Sequence, residues 1–101
     1  MNPPDDAAPV AALVRVRGLV QGVCFRDGCE RHARLLGVTG WVRNRTDGSV
    51  EAMLQGSPQQ ITHFCGWLRD GVPAARVDDV QVTVVRSPVS RIDDFRRWPT
   101  A

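Results

Sequence analysis

Apolar and polar residues alternate over residues 10–17, which predicts a β-strand with one buried face. The apolar face of this strand consists of Ala12, Val14 and Val16. Over residues 26–36 the apolar residues follow helical spacing, and Gly37 is a typical helix stop. The apolar positions of this helix are Phe25, Cys29, Ala33 and Leu36, with Leu35 near the same face. We therefore expect residues 18–25 to form the loop between the first strand and the first helix.

The next segment predicts a β-hairpin. Residues 40–45 and 49–55 are both strand-like, and the second alternates strictly. Its apolar face consists of Val50, Ala52 and Leu54. Between the two strands, residues 46–48 read Thr-Asp-Gly, a typical turn sequence.

A second helix and two further strands complete the pattern. Ser57 is the expected N-cap, Pro58 occupies the first helical position, and Gln60 completes a capping box. The buried face of this helix would be Ile61, Phe64, Cys65 and Leu68, and Gly71 would end it. Residues 76–86 predict a long strand with Val80, Val82 and Val84 on one face. Residues 95–98 predict a short strand.

The order β-α-β-β-α-β, with the short last strand as an extra edge strand, is that of a ferredoxin-like α+β fold, an antiparallel sheet with two helices on one face. The 101 residues are enough for one domain. We assign residues 1–9 to a flexible N-terminal tail and residues 10–101 to this domain. Because the fold hosts enzymes, RNA-binding proteins and regulatory ligand-binding domains, it does not settle the function.

Composition narrows the possible functions. The formal net charge of +2 is too small to indicate a nucleic-acid or membrane partner, and no segment is typical of a signal peptide or a membrane span. Three cysteines without an export signal favour reduced thiols and a cytoplasmic protein. No CxxC pair occurs and the two histidines are far apart in sequence, so we expect no metal site. The chain contains no lysine, so no lysine can form a Schiff base or bind phosphate.

The loop at residues 18–25 has the composition of an anion-binding loop. Gly18 and Gly22 permit positive φ and a close approach of the backbone to a ligand, and the following helix N-terminus favours negative charge. The guanidinium of Arg26 could bind two oxygens of a phosphoryl group. On these residues alone, a simple turn and a surface ion pair of Arg26 are the better explanation.

A second candidate is Asn44, late in the second strand and next to the hairpin turn. Strand alternation gives it the same face as Val42, so it should lie on the core side or at its rim. A buried amide needs hydrogen-bond partners. In isolation, an asparagine that stabilises the turn is the better interpretation.

Two segments, GLVQGVCFR at residues 18–26 and GWVRNRTDGSVEAMLQG at residues 40–56, together resemble the signature segments of the acylphosphatase family. Their order and separation are similar, and the resemblance covers nearly the whole chain from about residue 10. It implies an enzyme that hydrolyses acyl phosphates to a carboxylate and inorganic phosphate. It also implies that no metal or other cofactor is used and that no covalent enzyme intermediate forms.

The resemblance also implies roles for particular residues. Arg26 matches the catalytic arginine, and Asn44 matches the asparagine that positions the attacking water. Phosphate would be bound largely by backbone N–H groups along the loop formed by Leu19, Val20, Gln21, Gly22, Val23, Cys24, Phe25 and Arg26. Cys29 departs from the family, in which many members carry a threonine at this place. A thiol is a weaker hydrogen-bond partner than a hydroxyl, so support of the loop could differ here.

Such a reaction needs no strong nucleophile, because an acyl phosphate has a good carboxylate leaving group. The enzyme must hold the phosphoryl oxygens, stabilise their charge and align a water. Asn44 can hold that water but cannot be a base at neutral pH. The proton could therefore pass to the substrate's own phosphate, as the resemblance also suggests.

Other interpretations remain open at this stage. A non-catalytic anion-binding ferredoxin-like module is the main alternative, and a carbamoyl-phosphate-processing domain, as found in hydrogenase-maturation proteins, is a variant of it. Cys24 precedes Arg26 by two residues, which is too close for the loop of a cysteine phosphatase. We expect Cys29, Cys65 and the three tryptophans to be packing residues, the histidines to be structural or exposed, and Arg96 and Arg97 to be solvated. We expect a monomer whose partner is a small acyl phosphate.

Overall fold

In a computed structural model of the chain, residues 9–85 and 90–101 are described. Residues 1–8 of the expected tail lie outside these ranges. Arg86, the expected end of a strand, does so as well. The elements follow the predicted order: β1 (Val10–Leu19), α1 (Phe25–Leu36), β2 (Thr39–Asn44), β3 (Val50–Gly56), α2 (Pro58–Asp70), β4 (Arg76–Val85) and β5 (Phe95–Arg97).

The five strands form one sheet in the order β4-β1-β3-β2-β5. Three of the pairings are antiparallel, as predicted, and β2 pairs with β5 in parallel. The sheet is therefore mixed, with the parallel pair at one edge. Two helices and this sheet confirm the ferredoxin-like α+β fold.

Both helices cover one face of the sheet. Helix α1 packs against β2 and β5, and α2 packs against β4, β3 and β1. The apolar faces predicted for β1 and β3 are buried between sheet and helices. Leu35 is an exception, because its side chain is 81% exposed and Gly28 takes part in the buried face of α1 instead. Val82 and Val84 are also exposed, since β4 lies at the sheet edge.

The start of α2 confirms the predicted capping box. Ser57 has an extended backbone, and its hydroxyl accepts a hydrogen bond from the backbone N–H of Gln60 at 3.1 Å. The Gln60 side-chain oxygen in turn accepts from the Ser57 N–H at 2.7 Å. The Gln60 amide nitrogen also donates to the carbonyl of Leu36 at the end of α1. The side chains of Ser57 and Gln60 therefore bind backbone N–H groups at the start of α2, and Gln60 also binds a carbonyl at the end of α1.

Candidate active site

The segment between β1 and α1 is shorter than the sequence predicts. Strand β1 continues through Leu19, where it pairs with Arg76, and α1 begins at Phe25. The loop therefore spans residues 20–24, and Arg26 lies in the first turn of the helix. Two of its residues have positive φ, Gly22 at 77° and Cys24 at 62°. These left-handed conformations turn the chain sharply from the strand into the helix.

The two glycines of the motif have different tasks. Gly18, at φ 136°, follows a bulge in the β1–β4 ladder, and a side chain there would collide with the backbone of Arg76. Its close approach is therefore to β4 and not to a ligand. At Gly22 there is open space around the position of a Cβ, and the residue is solvent-exposed. Gly22 is thus the motif glycine whose surroundings leave room for a ligand.

The N-terminus of α1 has no side-chain cap. Cys24 occupies the N-cap position in the left-handed conformation, and its side chain accepts no hydrogen bond from the helix. The first backbone N–H groups of a helix lack intrahelical partners and attract anions. Asp27, in the first turn, is paired with Arg31 at 3.3 Å. The helix start therefore offers backbone N–H donors next to the guanidinium of Arg26.

Gln21 connects this loop to the β2–β3 hairpin. Its side-chain amide nitrogen donates to the carbonyl oxygen of Arg45 at 2.8 Å and to that of Ser49 at 2.9 Å. These two residues flank the turn that follows Asn44, and they are themselves joined by a backbone hydrogen bond of 2.8 Å. A single side chain thus fixes the distance between the loop and the strand that carries Asn44.

The turn of this hairpin is stabilised by Asp47. Its carboxylate accepts hydrogen bonds from the hydroxyl and the backbone N–H of Ser49, at 2.6 and 2.9 Å. These bonds, together with the nearby charges of Arg15 and Arg17, lower the pKa of Asp47 to about 2 although partial desolvation opposes them. The carboxylate is therefore charged, and the turn keeps this interaction, throughout the neutral range.

On the sheet face opposite the helices, Glu51 holds the neighbouring strands together. Its carboxylate accepts from the guanidinium groups of Arg43, Arg45 and Arg15, at 2.9, 3.3 and 3.2 Å. Burial alone would raise the pKa of Glu51, but the hydrogen bonds from Arg43 and Arg15 and the nearby positive charges outweigh it and lower the pKa. This cluster supports β2 just before Asn44.

The loop, the start of α1 and the ends of β2 and β5 line an open cavity of about 320 Å³. Eight residues line it: Val20, Gly22, Cys24, Phe25, Arg26, Asp27, Asn44 and Arg97. The structure thus brings together Arg26 and Asn44, which are on different elements. Five of the eight predicted phosphate-binding residues line the cavity, whereas Leu19, Gln21 and Val23 do not. Leu19 lies in β1 and Gln21 uses its side chain to hold the hairpin.

Two features of the predicted catalytic residues are consistent with a ligand site. Within residues 9–85 and 90–101, Arg26 forms no ion pair with an acid. The side-chain oxygen of Asn44 is buried and has no hydrogen-bond partner in the same ranges. A buried amide oxygen without a partner is unfavourable by about 1–3 kcal/mol.

Arg97 also lines the cavity, although we expected it to be simply solvated. Its neighbour Phe95 is buried against the helices, and Arg97 lies two residues further along β5, on the same face. Strand alternation from Phe95 would have indicated this orientation. Arg96 points to the other face and pairs with Asp94. Only one of the two adjacent arginines therefore belongs to the cavity.

Cys29, Cys65 and His32 behave as structural groups. All three cysteines are free, and burial raises the pKa of the Cys29 thiol far above its ordinary value. Burial also raises the pKa of Cys65, and the charge of Arg69 only partly opposes it. His32 stacks on Trp67 at 4.5 Å between ring centroids, and desolvation, with the nearby His63, lowers its pKa. Across the described ranges, no group of three or more His, Cys, Asp or Glu side chains is arranged to hold a metal ion.

Comparison with known proteins decides the family. The acylphosphatase family model matches residues 12–97, which is most of the chain. The chain belongs to the acylphosphatase family. Acylphosphatase 1 of Ralstonia nicotianae is 57% identical over 96 residues, which are 95% of this chain and 94% of the relative. The acylphosphatase of Polaromonas naphthalenivorans is 55% identical over 87 residues, 86% of each chain.

A solved structure of a family member supports the same conclusion. The acylphosphatase of Coxiella burnetii superposes with a TM-score of 0.85 at 34% identity, covering 93% of this chain and 97% of the other. Family membership at this level of identity supports an acylphosphatase enzyme over a non-catalytic anion-binding module. None of the helices in the described part of the chain has the length and apolar character to cross a membrane.

Proposed function

We propose that this enzyme hydrolyses the carboxyl–phosphate bond of acyl phosphates by direct attack of a water on phosphorus. The observation that carries the proposal is the convergence of Arg26, the uncapped start of α1 and the unpartnered Asn44 amide on one cavity. The products are a carboxylate and inorganic phosphate. The substrate is a small molecule, and we expect the enzyme to act as a cytoplasmic monomer without a metal or other cofactor.

The phosphoryl group is held by the loop at residues 20–24 and by the first turn of α1, which carries Arg26. Backbone N–H groups at the start of α1 donate to its oxygens, and the guanidinium of Arg26 donates in a planar fork. These donors are fixed before the substrate arrives, since Gln21 ties the loop to the hairpin. Preorganised donors of this kind stabilise the charge on the equatorial oxygens of the transition state.

The attacking water is positioned by Asn44. The water donates one hydrogen to the buried side-chain oxygen, which leaves an oxygen lone pair free to attack phosphorus. The P–O bond to the carboxylate breaks as the new P–O bond forms, and the carboxylate departs with the bonding electrons. Because Asn44 cannot accept the water's proton at neutral pH, the proton passes to a phosphoryl oxygen. Hydrolysis thus requires neither an enzyme nucleophile nor a general base.

The test compares the wild type with Asn44→Ala in the hydrolysis of benzoyl phosphate, followed by the loss of ultraviolet absorbance with a chelator present. We expect kcat to fall about 100-fold or more, since one group that aligns the reactants is lost. The affinity for inorganic phosphate should remain within about threefold, because Asn44 does not hold the phosphoryl oxygens. Absence of wild-type hydrolysis would refute the activity, and an equal loss of kcat and phosphate affinity would refute the role of Asn44.

A further inference from the structure

Arg97 lines the cavity but has no task in the reaction described above. It lies on β5, opposite Val42 in the parallel ladder, so its side chain leaves the sheet on the helix-facing side. Its side chain is 48% exposed, which leaves it room to move. A second arginine thus stands at the site, on a different element from Arg26.

The contacts of Arg97 are weak. Its Nε atom is 3.6 Å from the carboxylate of Glu30, beyond hydrogen-bond distance. Glu30 lies four residues after Arg26 in α1, one turn further along the same side of the helix. Glu30 also accepts a hydrogen bond from Arg34 at 3.3 Å. If Arg97 turned away towards a ligand, Glu30 would therefore keep a cationic partner.

The charges in the cavity leave a place for this second cation. A phosphoryl group carries up to two negative charges, whereas Arg26 provides one positive charge. Asp27, the one acid in the lining, is paired with Arg31 outside it. We propose that Arg97 is a second phosphoryl-binding arginine, which exchanges Glu30 for the phosphoryl oxygens when substrate or phosphate binds. This inference rests on the proposed function for the identity of the bound group.

The first test measures the dissociation constant of inorganic phosphate by NMR titration. Arg97→Gln should raise it roughly 5- to 20-fold, because a charge-assisted hydrogen bond is lost from a partly exposed site. Arg96→Gln is the matched control, since it removes the same charge one residue away on the other face of the sheet. It should change the constant less than twofold. Equal effects of the two substitutions would overturn the proposal, since they would indicate a general effect of charge.

The second test uses Glu30→Gln, which should act in the opposite direction. If Glu30 competes with phosphate for Arg97, this substitution should tighten phosphate binding about two- to fivefold. The gain should disappear in the Glu30→Gln/Arg97→Gln double variant. If the pair is only structural, both single variants should lower the thermal midpoint and leave phosphate binding within twofold of wild type. That result would overturn the proposal.

Kinetics identify which part of the substrate Arg97 contacts. Arg97→Gln should reduce kcat/KM equally for benzoyl phosphate and for 4-carboxybenzoyl phosphate, because the phosphoryl group is common to both. A loss confined to the carboxylated substrate would mean that Arg97 binds the acyl part, and would overturn the proposal. If the wild type hydrolysed neither compound, the proposed function would fail, whereas the phosphate titrations would still decide the role of Arg97.

Discussion

Helix α2 begins with its amides bound by the chain itself, whereas helix α1 begins without a side-chain cap and faces a cavity. At α2, Ser57 and Gln60 bind each other's backbone N–H groups. At α1, Cys24 takes a left-handed conformation and binds no helix amide with its side chain. The start of α1 leaves its donors available to a ligand, whereas the start of α2 does not. The absence of a side-chain cap therefore distinguishes the helix start at the cavity from the helix start that serves stability.

Arg26 should produce the largest effect of any residue at the open helix start. We expect Arg26→Ala to lower kcat/KM for benzoyl phosphate about 1,000-fold or more, in the range known for arginines that stabilise phosphoryl transfer. Arg26→Lys should also be poor, because an ammonium group does not reproduce the planar fork. The measurement is kcat/KM of both variants in steady-state kinetics with benzoyl phosphate. Activity of Arg26→Lys near wild type would show that only the charge matters.

Giving α1 a negative group of its own should close the site. Cys24→Asp and Cys24→Asn are a matched pair, since both residues tolerate the left-handed conformation and differ in charge. The aspartate should weaken phosphate binding and lower kcat/KM roughly 10- to 100-fold through like-charge repulsion. The asparagine should remain within about threefold of wild type in kcat. A large loss with asparagine would instead indicate that a neutral cap on the helix amides is enough to close the site.

The loop before α1 is held by the hydrogen bonds that Gln21 donates to the β2–β3 hairpin, and not by a helix cap. Gln21→Ala should lower kcat about 10-fold and affect phosphate affinity less, because it loosens the spacing between the loop and Asn44. Gln21→Glu should be worse than alanine, since its carboxylate would face the carbonyl oxygens of Arg45 and Ser49. The kinetics of both variants and phosphate titrations test this order. If phosphate affinity falls as much as kcat, Gln21 shapes the phosphate site itself.

The closed helix start should matter for stability alone. Ser57→Ala should reduce the free energy of unfolding by about 1 kcal/mol, the usual value for an N-cap serine. Its kcat and phosphate affinity should be unchanged, since α2 is not part of the cavity. Denaturant unfolding and the benzoyl phosphate assay provide the two measurements. A substantial loss of activity in the folded variant would mean that the two helix starts are not independent.

Much of the fold could be predicted from local patterns. Strands β1 and β3 were predicted from their alternation, and the start of α2 was predicted from its capping box. These signals could be recognised because each lies within a short stretch of sequence. The boundaries near the site were less predictable. Residues 18 and 19 belong to β1 because β4 pairs with them across a bulge, and that partner is distant in sequence. Leu35 was wrongly placed near the buried face, since the position of the sheet decides which part of α1 is covered.

The sequence by itself determined the order of elements, the family and the two residues proposed for catalysis. The loop and Arg26 lie within one continuous motif, and Asn44 lies within the other. Each motif could therefore be recognised from a short stretch of sequence. Only the tertiary structure decided that these segments share one cavity and that Gln21 spans the gap between them. It alone brought Arg97 to the site, because the parallel pairing of β5 with β2 joins residues that no short sequence window contains. Side chains that meet through sheet pairing are specified by the whole fold.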